Sequence, residues 1–151
     1  METETISIEE SIGHLIEVCH DGQSGFEAAA DAVSDATLKM ELLRYSRQSA
    51  QFITDLDQSM RELGQTPPTH GTITGALRRG WMHLARVITH GEEHAILKAC
   101  KSAMDAAVEA YTAALQTSLP ADLQELVAAQ HRVISSVQVR IQSLCEMAKT
   151  H

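Results

Sequence analysis

Apolar residues recur at helical spacing along almost the whole chain. Between Ile6 and Val33 the positions Ile8, Ile12, Leu15, Cys19, Phe26 and Val33 follow at intervals of four, three, four, seven and seven, which traces one face of an amphipathic helix. Ser34 reads as the N-cap of a second helix, so the turn is short and the two helices run antiparallel. Leu38, Leu42, Tyr45, Ser49, Phe52, Leu56 and Leu63 line that second helix, and Gly64 ends it. Pro67, Pro68, Gly71 and Gly75 then force irregular chain. Within this connection Ala76 to Ile88 predicts a short amphipathic helix, with Leu77, Trp81, Leu84 and Ile88 on one side, lying across one end of the fold. Gly91 breaks it. Glu92 and Glu93 fall in the first turn of a third helix, where the backbone dipole favours negative charge, and its stripe is Ile96, Cys100, Ala103, Met104, Ala107, Tyr111 and Leu115. Pro120 suits the start of a fourth helix, whose stripe is Leu123, Leu126, Gln130, Ile134, Val137, Ile141 and Leu144.

Four main helices of about 26 residues would each be roughly 40 Å long at 1.5 Å per residue, so they can pair along their full length. Two short turns and one long connection of about 28 residues between helices two and three suit an all-α, ferritin-like four-helix bundle with a single crossover. The halves also resemble one another. Cys19 to Gln23 with Phe26 following, and Cys100 to Met104 with Tyr111 following, read as two copies of one hairpin. The expectation is a single domain over residues 1–151, with the short extra helix in the long connection. A chain of that length buries roughly two thirds of its unfolded surface.

Composition narrows the function classes. Hydrophobic residues make up 44% and charged residues 21%, an ordinary globular balance. A net charge of −8 with 12 Lys plus Arg would repel phosphate backbones, and the aromatic share of 3% leaves little to stack on bases, so no nucleic-acid partner is expected. No apolar run approaches the roughly 18 residues needed to cross a bilayer, and the opening Met-Glu-Thr-Glu-Thr is acidic where a secretory signal is basic. A soluble, cytoplasmic protein with no membrane partner is the expectation. The 3 cysteines do not form a disulfide framework and suit a reducing compartment.

The middle of the bundle decides the chemistry. Advancing 100° per residue from Cys19 puts Gln23 at about 40°, inside the stripe, and Glu17 at about 160°, facing away. Met104 stands at the matching place on the third helix, and Gln130 within the seam of the fourth. A di-iron or di-manganese centre in such a bundle takes a Glu from each of two helices and a Glu-x-x-His from each of the others. Here the Glu-x-x-His formed by Glu17 and His20 points its carboxylate outward. Gln23, Ser49, Met104 and Gln130 therefore read as a degenerate site, with Gln23 and Gln130 hydrogen-bonded to each other, to Ser49 or to a trapped water.

Other groupings carry less. Glu10, His14, Glu17 and Asp21 share an outward stripe that could catch a soft surface metal and reads first as a solvated face with i,i+4 pairs. His90 and His94 have ligand spacing, with His83 before them, but Gly91 interrupts their helix. Cys19, Cys100 and Cys145 read as small core residues with no cationic neighbours to make a thiolate. Arg78, Arg79, Trp81 and Arg86 on the crossing helix form a positive patch where an anionic partner or a neighbouring subunit could dock.

Cys-x-Asp-Gly-x-x-Gly-Phe from Cys19 to Phe26, Leu-Arg-Arg-Gly-Trp-Met from Leu77 to Met82, Ala-Ile-Leu-x-x-Cys from Ala95 to Cys100 and Glu-Ala-Tyr-x-x-Ala-Leu from Glu109 to Leu115 resemble a bacterial ferritin-like family of four-helix bundles labelled only as a domain of unknown function. The resemblance covers nearly the whole chain. In that family Glu often stands where this chain has Gln23, and a Glu-x-x-Gly-Glu run where it has Lys101 to Met104. The resemblance therefore implies the fold, and implies that carboxylates have been lost from both halves.

The sequence reading is thus a non-catalytic bundle without a cofactor, acting by protein association, with a stress-linked role among the expectations. Alanine-rich faces at Ala28 to Ala30 and at Ala106 and Ala107 suggest a homodimer. The competing reading is an iron or manganese protein or oxidase with unconventional ligands, motivated by the fold and by 8 histidines. A third is a small-ligand binder with a pocket between the helices near Gln23 and Gln130.

Overall fold

In a computed structural model of the chain the described residues are 8–65 and 92–149, and they form four α-helices with no strand among them. Helix α1 is Ile8–Ala32, α2 is Ala36–Glu62, α3 is Glu93–Leu115 and α4 is Ala121–Lys149. The expected 76–88 helix, with Arg78, Arg79, Trp81 and Arg86, lies outside the described residues.

Local signals set the helix ends. Asp35, one residue beyond the expected Ser34, caps α2: its carboxylate accepts from Leu38 N at 2.8 Å. Either side chain could serve, and the Asp carboxylate adds a favourable charge at the positive end of the helix. At the other end Gly64 adopts φ +76°, the left-handed conformation that glycine takes without strain, and the chain leaves the helix there. Leu63, expected to line the stripe, is the C-cap and is exposed; Met60, one turn earlier, is fully buried and closes that end of the core. Glu92 is the N-cap of α3 without a side-chain hydrogen bond, and Glu93 occupies the first turn.

Cross-helix contacts fix the directions. Ser46 of α2 donates to the Gln23 carbonyl of α1, and Lys39 to that of Ala30, so rising numbers on one helix meet falling numbers on the other. Phe52 and Glu41 of α2 meet Gln130 and Arg140 of α4, again in reverse order. Asp105 and Tyr111 of α3 meet Gln138 and Gln130 of α4 in the same sense. It follows that α2 and α3 point the same way. Around the bundle α1 adjoins α2 and α3, and α4 closes the ring against both.

One continuous apolar core runs through all four helices. Of the alanine-rich faces, Ala29, Ala30, Ala106 and Ala107 are buried in it and Ala28 is half-buried, so the small side chains line packed helices of one chain.

Candidate functional site: a neutral hydrogen-bonded belt

Four helices contribute to one polar chain through the middle of the core. The Tyr111 hydroxyl on α3 donates to Gln130 Oε1 on α4 at 2.7 Å. Gln130 Nε2 donates to the Phe52 carbonyl on α2 at 3.3 Å, and Cys19 Sγ on α1 lies 3.3 Å from the Tyr111 oxygen. Tyr111 is 0% exposed, Gln130 2% and Cys19 3%. The proton order follows from valence. Gln130 turns its amide NH2 to a carbonyl, so its oxygen faces Tyr111; the single phenol proton is spent on that oxygen; the Tyr111 oxygen then accepts from the Cys19 S–H.

This ordering needs every member neutral, and burial enforces it. Desolvation pushes the Cys19 thiol up to about 12, with the Tyr111 hydrogen bond acting weakly the other way. Burial likewise holds the Tyr111 phenol well above its ordinary 10.0. Cys100, fully buried, is raised to about 12 by burial and then by nearby Cys145. All three thiols are buried and free of disulfides. Neither Cys19 nor Cys100 is a nucleophile at neutral pH, because the thiolate is the reactive form.

Beside the belt is a cavity of about 30 Å³, lined by Cys19 and Gly22 of α1, Ser49 and Phe52 of α2, Met104 of α3, and Ile134 and Val137 of α4. The structure places Ser49, half-buried, and Met104, 5% exposed, against this space, and Gln130 in the belt. Gln23 lies elsewhere. It is half-buried in a groove between α1 and α2, beside Glu27, Arg47 and Gln51, and shares no hydrogen bond with Gln130. The buried stripe of α1, which includes Val18, Gly22, Gly25 and Ala29, is centred on the other side of Cys19, which leaves Gln23 roughly 80° from its middle. Gly22 is the residue that faces Ser49: a Cβ built there would sit 3.0 Å from Ser49 Oγ.

A second polar cluster joins α2 to α4 nearer one end. Glu41 accepts from Tyr45 OH at 2.5 Å and, through both oxygens, from Arg140 Nε at 2.8 Å and Nη2 at 3.1 Å. The Arg140 hydrogen bond leads in holding the Glu41 carboxyl below its ordinary range, against desolvation, with Tyr45 helping. Burial, then the Glu41 hydrogen bond, raises Tyr45 to about 12. Phe26 packs on the Tyr45 ring at a centroid distance of 5.5 Å. The signal for this cluster in the sequence is a Tyr on an apolar stripe with a Glu four residues before it.

The donor set at the centre does not fit a pair of hard metal ions. Iron and manganese favour carboxylate and imidazole, whereas the middle layer offers an amide, a phenol, a protonated thiol, a hydroxyl and a thioether. Among the described residues no three His, Cys, Asp or Glu side chains gather into a metal-holding group. His83 and His90 lie outside them, and His94 is half-buried at the start of α3. Glu10, His14, Glu17 and Asp21 each have interactions of their own. Nor is any helix among the described residues long and apolar enough to cross a membrane.

Residues 7–117 match a sequence family described as a domain of unknown function, DUF2383. The chain belongs to that family. The matched DUF2383 segment takes in α1, α2 and α3 and stops before α4, so Cys19, Phe52 and Tyr111 of the belt fall inside it while Gln130 and Arg140 fall beyond. No curated protein matches the chain.

Proposed function

We propose that this chain is a ferritin-like bundle that works without catalysis and without a metal centre, as a cytoplasmic protein whose activity is association, including with a second copy of itself and in a stress-linked setting. The parallel course of α2 and α3, which calls for one long crossover, supports the ferritin-like reading. The observation that carries the functional reading is the neutral belt: a side chain or carbonyl from each helix is committed to its neighbour at the place where such bundles hold ligands.

With the interior engaged in its own hydrogen bonds, recognition falls to the surface. Met40 and Val139, 70% and 68% exposed, supply apolar area there. The basic run with Arg78, Arg79, Trp81 and Arg86 is the candidate contact for an acidic partner on a protein of net charge −8. The test is elemental analysis of protein made in medium supplemented with iron and manganese, then dialysed against chelator. The reading expects far less than one metal per chain; one or more retained per chain overturns it. Sedimentation of the same sample reports the dimer.

A further inference from the structure

Ser49 is a half-buried hydroxyl with no hydrogen-bond partner among the described residues, although other helical hydroxyls here do find one: Thr112 turns back to the Val108 carbonyl and Ser46 reaches across to that of Gln23. Its oxygen is aimed at α1, as its closeness to the Gly22 Cβ position shows. Both residues line the cavity of about 30 Å³. One water needs about 10–15 Å³ of such space and two to four polar contacts, while a benzene-sized guest needs about 150 Å³. The volume therefore admits one or two waters and excludes a metabolite.

The wall supplies the contacts. Besides Ser49, the cavity is lined by Gln48, whose amide has no partner among the described residues, and by Cys19, whose sulfur lone pairs remain after its proton is given to Tyr111. Phe26, Phe52, Met104 and Ile134 make up much of the rest, and no charged side chain is among the lining residues, so an ion would be poorly held.

We propose that this cavity is an internal hydration site, in which a water bridges Ser49 Oγ, the Gln48 amide and the Cys19 sulfur and extends the belt from α1 back to α2. Gly22 is part of the site: a Cβ there would press on Ser49 Oγ and narrow the space the water uses.

The test is a crystal structure of the full chain at a resolution that shows ordered solvent, repeated under xenon pressure and after a manganese soak. The site predicts a water within hydrogen-bond distance of Ser49 Oγ and no xenon. In Ser49→Ala the water should be lost or displaced from that position and xenon should enter. A dry parent cavity that takes xenon overturns the hydration site while leaving the metal-free function standing. A water unmoved in Ser49→Ala also overturns it. An anomalous manganese peak in the cavity sinks both. The parent crystals decide the matter even if the variant fails to fold.

Discussion

Tyr111 and Gln130 stand 19 residues apart on neighbouring helices and share a 2.7 Å hydrogen bond inside an otherwise apolar core. Each completes the other. A fully buried phenol needs an acceptor, and an amide on an apolar stripe needs both an acceptor and a donor. The Phe52 carbonyl and the Cys19 thiol finish the arrangement, so no member is left orphaned.

Alkali should destabilise the fold through its buried acids. Cys19 and Cys100 have folded pKa values raised from 9.0 to about 12, so the unfolded chain releases their protons first. Their stabilising contribution is complete below about pH 9 and is lost as pH rises towards 12, at a slope of about 1.4 kcal/mol per pH unit for each thiol. Urea midpoints measured across that range should fall steeply. Tyr45, raised to about 12, and Tyr111, raised further, should form tyrosinate only as the protein unfolds, which ultraviolet absorbance reports. A tyrosine ionising near pH 10 in the folded protein would contradict the burial assigned to it.

Acid acts through Glu41. Its folded pKa lies below the ordinary 4.5, chiefly through the Arg140 hydrogen bond, so its contribution is present above about pH 4.5 and disappears as pH falls through the folded value. Arg140 has a half-exposed side chain, and solvent limits the pair to about 0.5–1 kcal/mol. Arg140→Gln should therefore lower stability modestly at neutral pH and flatten the acid limb of a pH–stability curve. An acid limb identical to the parent's would remove Glu41 from the account.

Much of the fold follows from period alone. The stripe through Ile12, Leu15, Cys19 and Phe26 is buried as its spacing requires, and the short turn after α1 and the stop at Gly64 come from local chemistry that residue type announces. Gln130 reads correctly as a buried polar residue on α4, but its partners do not. Tyr111 and Cys19 look like plain seam positions, because periodicity reports which face is buried and not which polar atoms meet across it. Gln23 shows the opposite failure: an offset of about 40° in the centre of the stripe moves a side chain from the core to the α1–α2 groove and brings Gly22 in. The Glu41 and Arg140 pairing spans 99 residues, beyond the reach of any local signal.

Gly22 and Ser49 should be energetically coupled. Gly→Ala within a helix ordinarily gains about 1 kcal/mol. At position 22 the added Cβ meets Ser49 Oγ at 3.0 Å, whereas the Ser49 Cβ, at 3.7 Å, is in ordinary contact. Gly22→Ala should thus be more favourable in a Ser49→Ala background than in the parent, by about 0.5–1 kcal/mol in a double-mutant cycle. Strict additivity would mean that the two positions do not face each other.

A thermodynamic cycle on Tyr111→Phe and Gln130→Leu, followed by chemical denaturation, tests the belt most directly. Each single variant leaves a buried polar group without its partner and should cost about 1–3 kcal/mol, while the double variant, which strands less, should cost clearly less than the sum. Single variants as stable as the parent, or costs that simply add, would show that no neutral belt holds the centre of this bundle together.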